Sequence, residues 1–136
     1  MSSPRYEIAR TFYIRADRDS ELISFLTKFA EENDICFGAF VAFGALRKAT
    51  LAWFNQTERH YEEFPELPSP HEMASCTGNI TLRDGHLRIH AHAVLTDQQG
   101  NTRSGHLSRG TVFSAYVHLS ELRERRSNGE ASTNPG

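Results

Sequence analysis

Residues 86–107 read HLRIHAHAVLTDQQGNTRSGHL, and this stretch decides how the chain folds around its chemistry. Segment 88–96 has the β-branched and aliphatic character of a strand, in which residues two apart project from the same face. His90 and His92 therefore point the same way. Asp97, Gln98, Gln99, Gly100 and Asn101 read as a tight turn, with Gly100 supplying the left-handed conformation that ends a three-residue loop. Pairing Asp97 with Asn101 sets His106 directly opposite His92, at the roughly 5 Å expected of cross-strand neighbours, with His90 on the diagonal.

Three converging imidazoles form a ligand set. Their nitrogens suit zinc and, less selectively, nickel, cobalt, copper and iron, and three histidines leave a fourth tetrahedral position open for water or substrate. The competing reading of H-x-H is two ordinary polar residues on a half-exposed strand face. What favours ligation is the third histidine, which arrives at the predicted cross-strand position. His60 sits in a charged stretch, His71 follows a proline, His86 flanks a turn and His118 lies near the end of the last strand. Those four read as surface or packing residues, with His86 as the reserve ligand.

Outward from this hairpin, segment 73–82 joins segment 85–96 through Arg83, Asp84 and Gly85, where Asp-Gly is a strong hairpin signal. Thr77 and Asn79 fall on that neighbouring strand at the parity of the histidines, as candidate outer partners. Segments 102–107 and 111–119 complete the sheet. Segment 35–43 is almost continuously apolar and reads as a central strand covered on both faces; Gly44-Ala45 then breaks it, and 49–54 forms the next strand. Segment 59–64 is a weaker strand, followed by an extended loop that Pro65, Pro68 and Pro70 enforce. Near the start, segment 6–15 alternates Tyr6, Ile8, Phe12 and Ile14 with Glu7, Thr11 and Arg15, the pattern of a half-buried strand. Residues 17–20 offer N-caps, and Leu22, Phe25, Leu26 and Phe29 recur at helical spacing as far as Glu32 and Asn33. The expected fold is α+β, a mostly antiparallel sheet of about seven or eight strands with one principal helix. A single domain spans 4–122, and 123–136 lacks apolar anchors and reads as a disordered tail.

With 136 residues, 38% of them hydrophobic, the chain can bury one core. A formal charge of −2 gives no electrostatic footprint for nucleic acid, and the basic concentrations are confined to Arg47-Lys48 and 123–126. Cys36 and Cys76 match no C-x-x-C spacing and read as buried thiols. No signal-peptide pattern and no run of roughly 18 apolar residues is present, so a cytoplasmic location without membrane contact is expected.

GALRKATLAWF (44–54), HEMASCTGNI (71–80), HAHAVLTDQQG (90–100) and SGHLSRGTV (104–112), in that order, resemble the PPC domain, the plants and prokaryotes conserved domain. The resemblance runs from about residue 10 to residue 119. It implies an antiparallel sheet with a flanking helix, assembly as a homotrimer, and a metal, zinc being expected, on His90, His92 and His106. It also implies DNA association, because plant members carry the domain after AT-hook motifs and prokaryotic members, usually the domain alone, are labelled DNA-binding by that association. This chain has no Arg-Gly-Arg-Pro AT-hook. Where plant members carry a Gly-Arg-Phe-Glu-Ile-Leu partner-binding stretch, it has Ser69, Pro70, His71, Glu72, Met73 and Ala74. Ser104 replaces the first of two glycines before the third histidine, while Gly105 still permits close backbone approach.

The function expected from these features is a DNA-associated regulatory protein, a stand-alone trimeric domain carrying a three-histidine metal site. One alternative is a zinc-dependent enzyme assisted by Glu72, Asp84 or Arg88, although the derived register sets no general base beside the histidines. The other is a trimeric interaction module whose metal is structural.

Overall fold

The structure, a computed structural model, describes residues 3–125 and 131–132. Its elements in chain order are β1 (Arg5–Arg15), α1 (Leu22–Glu32), β2 (Gly38–Asn55), β3 (His60–Glu63), β4 (His71–Arg83), β5 (His86–Thr96), β6 (Thr102–Arg125) and β7 (Ala131–Ser132). All strand pairings are antiparallel, in the order β1-β6-β5-β4-β2-β3, with the two-residue β7 alongside β6. β2 also pairs with β6, so β2, β4, β5 and β6 close a circuit.

The fold is mostly β, with six principal strands where seven or eight were expected, because two pairs of segments fuse. Gly44 does not end the apolar run; it bends it. Its φ of 148° is open to glycine, and a Cβ there would stand 2.1 Å from the Ser114 carbonyl oxygen. Register shifts at Ala42/Gly44 and Leu46/Lys48 then carry the chain on as one strand. Likewise β6 runs unbroken, pairing with β5 at its start, β2 along its middle and β1 at its end.

A shift between Ile8 and Arg10 corrects the reading of β1. Phe12 and Ile14 face the core as expected, but an irregularity flips the alternation before them, and Ile8 is left 59% exposed. In the first part of β2 only one face is covered, with Phe40 and Ala42 buried while Val41 and Phe43 are 55% and 52% exposed; farther on, Ala49 to Ala52 are buried on both faces.

Helix α1 lays Leu22, Leu26 and Ala30 against the inward residues of β5 and β6. Full burial of a leucine contributes about 1.5–3 kcal/mol. Its cap is Glu21 rather than a residue in 17–20. Glu21 accepts the backbone N–H groups of Ile23 and Ser24, both at 2.9 Å, and that of Gly110 at 3.0 Å, tying the helix start to β6. Asp84 and Gly85 take φ of 53° and 77°, as the Asp-Gly hairpin requires. Burial lifts the Cys76 thiol to about 11, whereas Cys36, expected buried, is only partly so.

Part of segment 123–136, expected as a disordered tail, lies in strands. Arg123 pairs with Glu7 across the β1–β6 ladder, and Ala131–Ser132 pair with β6; residues 126–130 and 133–136 lie outside the described residues.

Candidate metal centre

The hairpin forms in the derived register. The Asp97 N–H donates to the Asn101 carbonyl at 3.0 Å, Gly100 has φ of 88°, and the Asp97 carboxylate accepts the N–H groups of Gln99 and Asn101, both at 2.9 Å. His92 consequently pairs with His106. Along β5, Ala91, Ala93 and Leu95 point into the core, so His90 and His92 point out. One ring nitrogen from each of His90, His92 and His106 lies within 4.8 Å of the others. Ring centroids are 5.1 Å apart for His90–His92 and 5.2 Å for His90–His106.

Burial, then the neighbouring His92, holds the His90 imidazole below its ordinary value. Burial, then His90 and His92, does the same for His106, with Glu63 opposing. Neutral imidazole is the ligating form, so these shifts reduce the competition of protons for the nitrogens. His106 Nδ1 is buried without a hydrogen-bond partner among the described residues, an orphan nitrogen of the kind coordination satisfies. The donor set fits zinc, which lowers the pKa of a bound water and polarises oxygen ligands.

Thr77 and Asn79 stand opposite His92 and His90 on the same outer face. His86 pairs with Arg83 at the far end of β5, outside the histidine group. His60 is exposed, His118 packs on Tyr13 at 4.6 Å, and His71 is buried with Nδ1 2.9 Å from the Ser69 carbonyl. Glu72 pairs with Thr96 near the hairpin turn, and Asp84 lies in the β4–β5 turn. Arg88 shares the histidine face, two residues from His90.

Two residues from β3 escaped the sequence reading. The Tyr61 hydroxyl lies 3.3 Å from His90 Nε2, and its ring stacks on His106 at 4.1 Å. Glu63 and His106 both pair with Ala52, from opposite sides of β2. The Glu63 carboxylate is pulled below its usual range, first by hydrogen bonds from Arg109 at 2.9 and 3.4 Å. The available signal was the parity of Tyr61 and Glu63, but the partner of β3 could not be read locally. A cavity of about 480 Å3 lies along β6, lined by Leu51, Phe64, Pro65, Leu67, Arg103 and Ser104 but by none of the three histidines.

The model of the Plants and Prokaryotes Conserved domain, abbreviated PCC or PPC, matches residues 4–122. This chain belongs to the PCC family. A plant- and prokaryote-conserved protein from Pyrococcus horikoshii is 28% identical, with 97% of this chain and 96% of that one covered and a TM-score of 0.85. A metal-containing protein from Archaeoglobus fulgidus is 27% identical, with 97% of each chain covered and a TM-score of 0.83. A candidate DNA-binding protein from Bacteroides thetaiotaomicron shares the PCC fold at 21% identity, 95% coverage of each chain and a TM-score of 0.76. No protein with a curated description matches. Among the described residues no helix is long and apolar enough to cross a membrane.

Proposed function

We propose that this PCC domain is a homotrimeric protein whose working site is a zinc ion held by His90, His92 and His106, with its fourth position open to a small ligand. The observation that carries the reading is the convergence of three ring nitrogens within 4.8 Å on an outward sheet face. The metal-containing Archaeoglobus relative, similar over its whole length, adds support. Homotrimer formation accounts for the apolar outer face: Tyr13 of β1 and Val41 and Phe43 of β2 are exposed on either side of β6, and a second copy would cover them.

A DNA-associated regulatory role is the second reading, favoured by the description of the Bacteroides structure. The charge arrangement argues against it. Arg10, Arg47, Arg103, Arg109 and Arg123 are each paired with a carboxylate, and helix α1 carries Lys28 against Glu31 and Glu32. With a formal net charge of −2, the chain carries no basic excess to attract phosphate.

The test is the metal content of protein purified without a nickel column, for wild type and His92→Ala, with gel shifts on random duplex DNA from the same samples. Near-stoichiometric zinc that disappears in the variant, with no shift at moderate salt, supports the metal reading. No metal in either protein, together with a salt-sensitive shift in both, overturns it in favour of DNA.

A further inference from the structure

Strand β3 has four residues and adds little to the core, yet it delivers a phenol into the histidine group. Its delivery is built in detail. Asn55 Oδ1 accepts the N–H groups of Thr57 at 3.1 Å and Glu58 at 3.0 Å, and Arg59 turns through a left-handed φ of 61°. The far end of the strand is pinned by the Glu63–Arg109 pair. Between these anchors the Tyr61 ring lies against His106 with planes 27° apart, and Phe54 meets it edge-on at 5.1 Å. The ring remains 43% exposed, so burial of apolar area does not explain this construction.

The position of the hydroxyl does. An atom in the open position of a tetrahedral zinc would lie about 3.3 Å from each ligating nitrogen, within hydrogen-bond reach of a donor held beside one of them. Tyr61 Oη stands 3.3 Å from His90 Nε2, on a ring stacked against a second member of the set. The geometry points to Tyr61 as the residue that selects what fills the open position, a small anion such as a carboxylate that accepts the phenol O–H. This rests on the zinc reading above. With His90 Nε2 unprotonated, the phenol O–H is the donor across that 3.3 Å. Coordination of His90 frees the donor for the incoming anion, and a hydrogen bond to a charged acceptor is among the stronger kinds. Water, which brings no charge, gains less from the same donor.

The experiment uses cobalt(II) as a visible reporter and azide as the anion, titrated at fixed pH into wild type and Tyr61→Phe. Phenylalanine keeps the ring on His106 and removes only the hydroxyl. Both proteins are expected to take up one cobalt per chain, with azide bound roughly tenfold more weakly by the variant. Equal affinities overturn the proposal, and so does tighter binding by the variant, since the phenol would then be occupying the open position itself. A variant that takes no cobalt while wild type does also overturns it, because the hydroxyl would then be building the metal site. Wild type that takes no cobalt removes the metal reading and this inference together.

Discussion

His92 and His106 face one another on the rung of the β5–β6 ladder farthest from its turn, with ring planes crossed at 81° and centroids 6.1 Å apart. Beyond that rung β6 leaves β5, and His106 pairs with Ala52 of β2 as well. A cation shared by the two histidines would therefore clamp the point where β6 changes partners.

Metal removal should accordingly lower stability. Free zinc at 100 times its dissociation constant adds about 2.7 kcal/mol to a folded state that alone binds it. Thermal melts with zinc and with a chelator should differ by on the order of 5–10 °C. His106→Ala should melt at one temperature under both conditions, and a persisting gap would place the zinc elsewhere.

Gly105→Ala should damage the same point through the backbone. A Cβ at Gly105 would stand 2.7 Å from the Ala52 carbonyl oxygen, where the β2–β6 ladder cannot yield without moving His106. The expected cost is about 1–3 kcal/mol in denaturant unfolding. Zinc affinity, measured by chelator competition, should fall with it.

Glu21 caps α1 and holds the Gly110 N–H of β6 with one carboxylate. Glu21→Ala leaves those donors unpaired and should cost about 2 kcal/mol in urea unfolding. Glu21→Asp, one methylene shorter, should recover part of the loss; a neutral Glu21→Ala would remove the cap from the account of this helix.

Asp97 supplies a pH dependence. Backbone hydrogen bonding from Asn101, the largest of several causes, holds its carboxyl below the ordinary range. The folded chain thus binds this proton less readily than the unfolded chain. Its stabilising contribution is complete above the unfolded value, about pH 4, and disappears as pH falls through the lower folded value. Urea midpoints of wild type and Asp97→Asn should differ at pH 7 and differ less at pH 3. A gap of equal size at both pH values would show that the charge of Asp97 plays no part.

The hairpin was readable because its determinants are local: parity set by a two-residue repeat, a turn set by Asp97 and Gly100, and a register that follows from both. The amphipathic stripe of α1 was readable for the same reason. Gly44 shows where local reading stops. A glycine after an apolar run ends a strand or bends it according to what lies opposite, here the Ser114 carbonyl some seventy residues away. The exposed Ile8 has a similar origin, in a register irregularity that only the pairing with β6 creates.

By itself, then, the sequence determined that three histidines meet on one hairpin face, since strand periodicity and turn chemistry act over a few residues. Only the tertiary structure decided what surrounds them. Tyr61 and Glu63 reach the site because β2 pairs with β3 on one edge and with β6 on the other. That lateral order is chosen by burial of the whole core, and no segment of the chain encodes it alone.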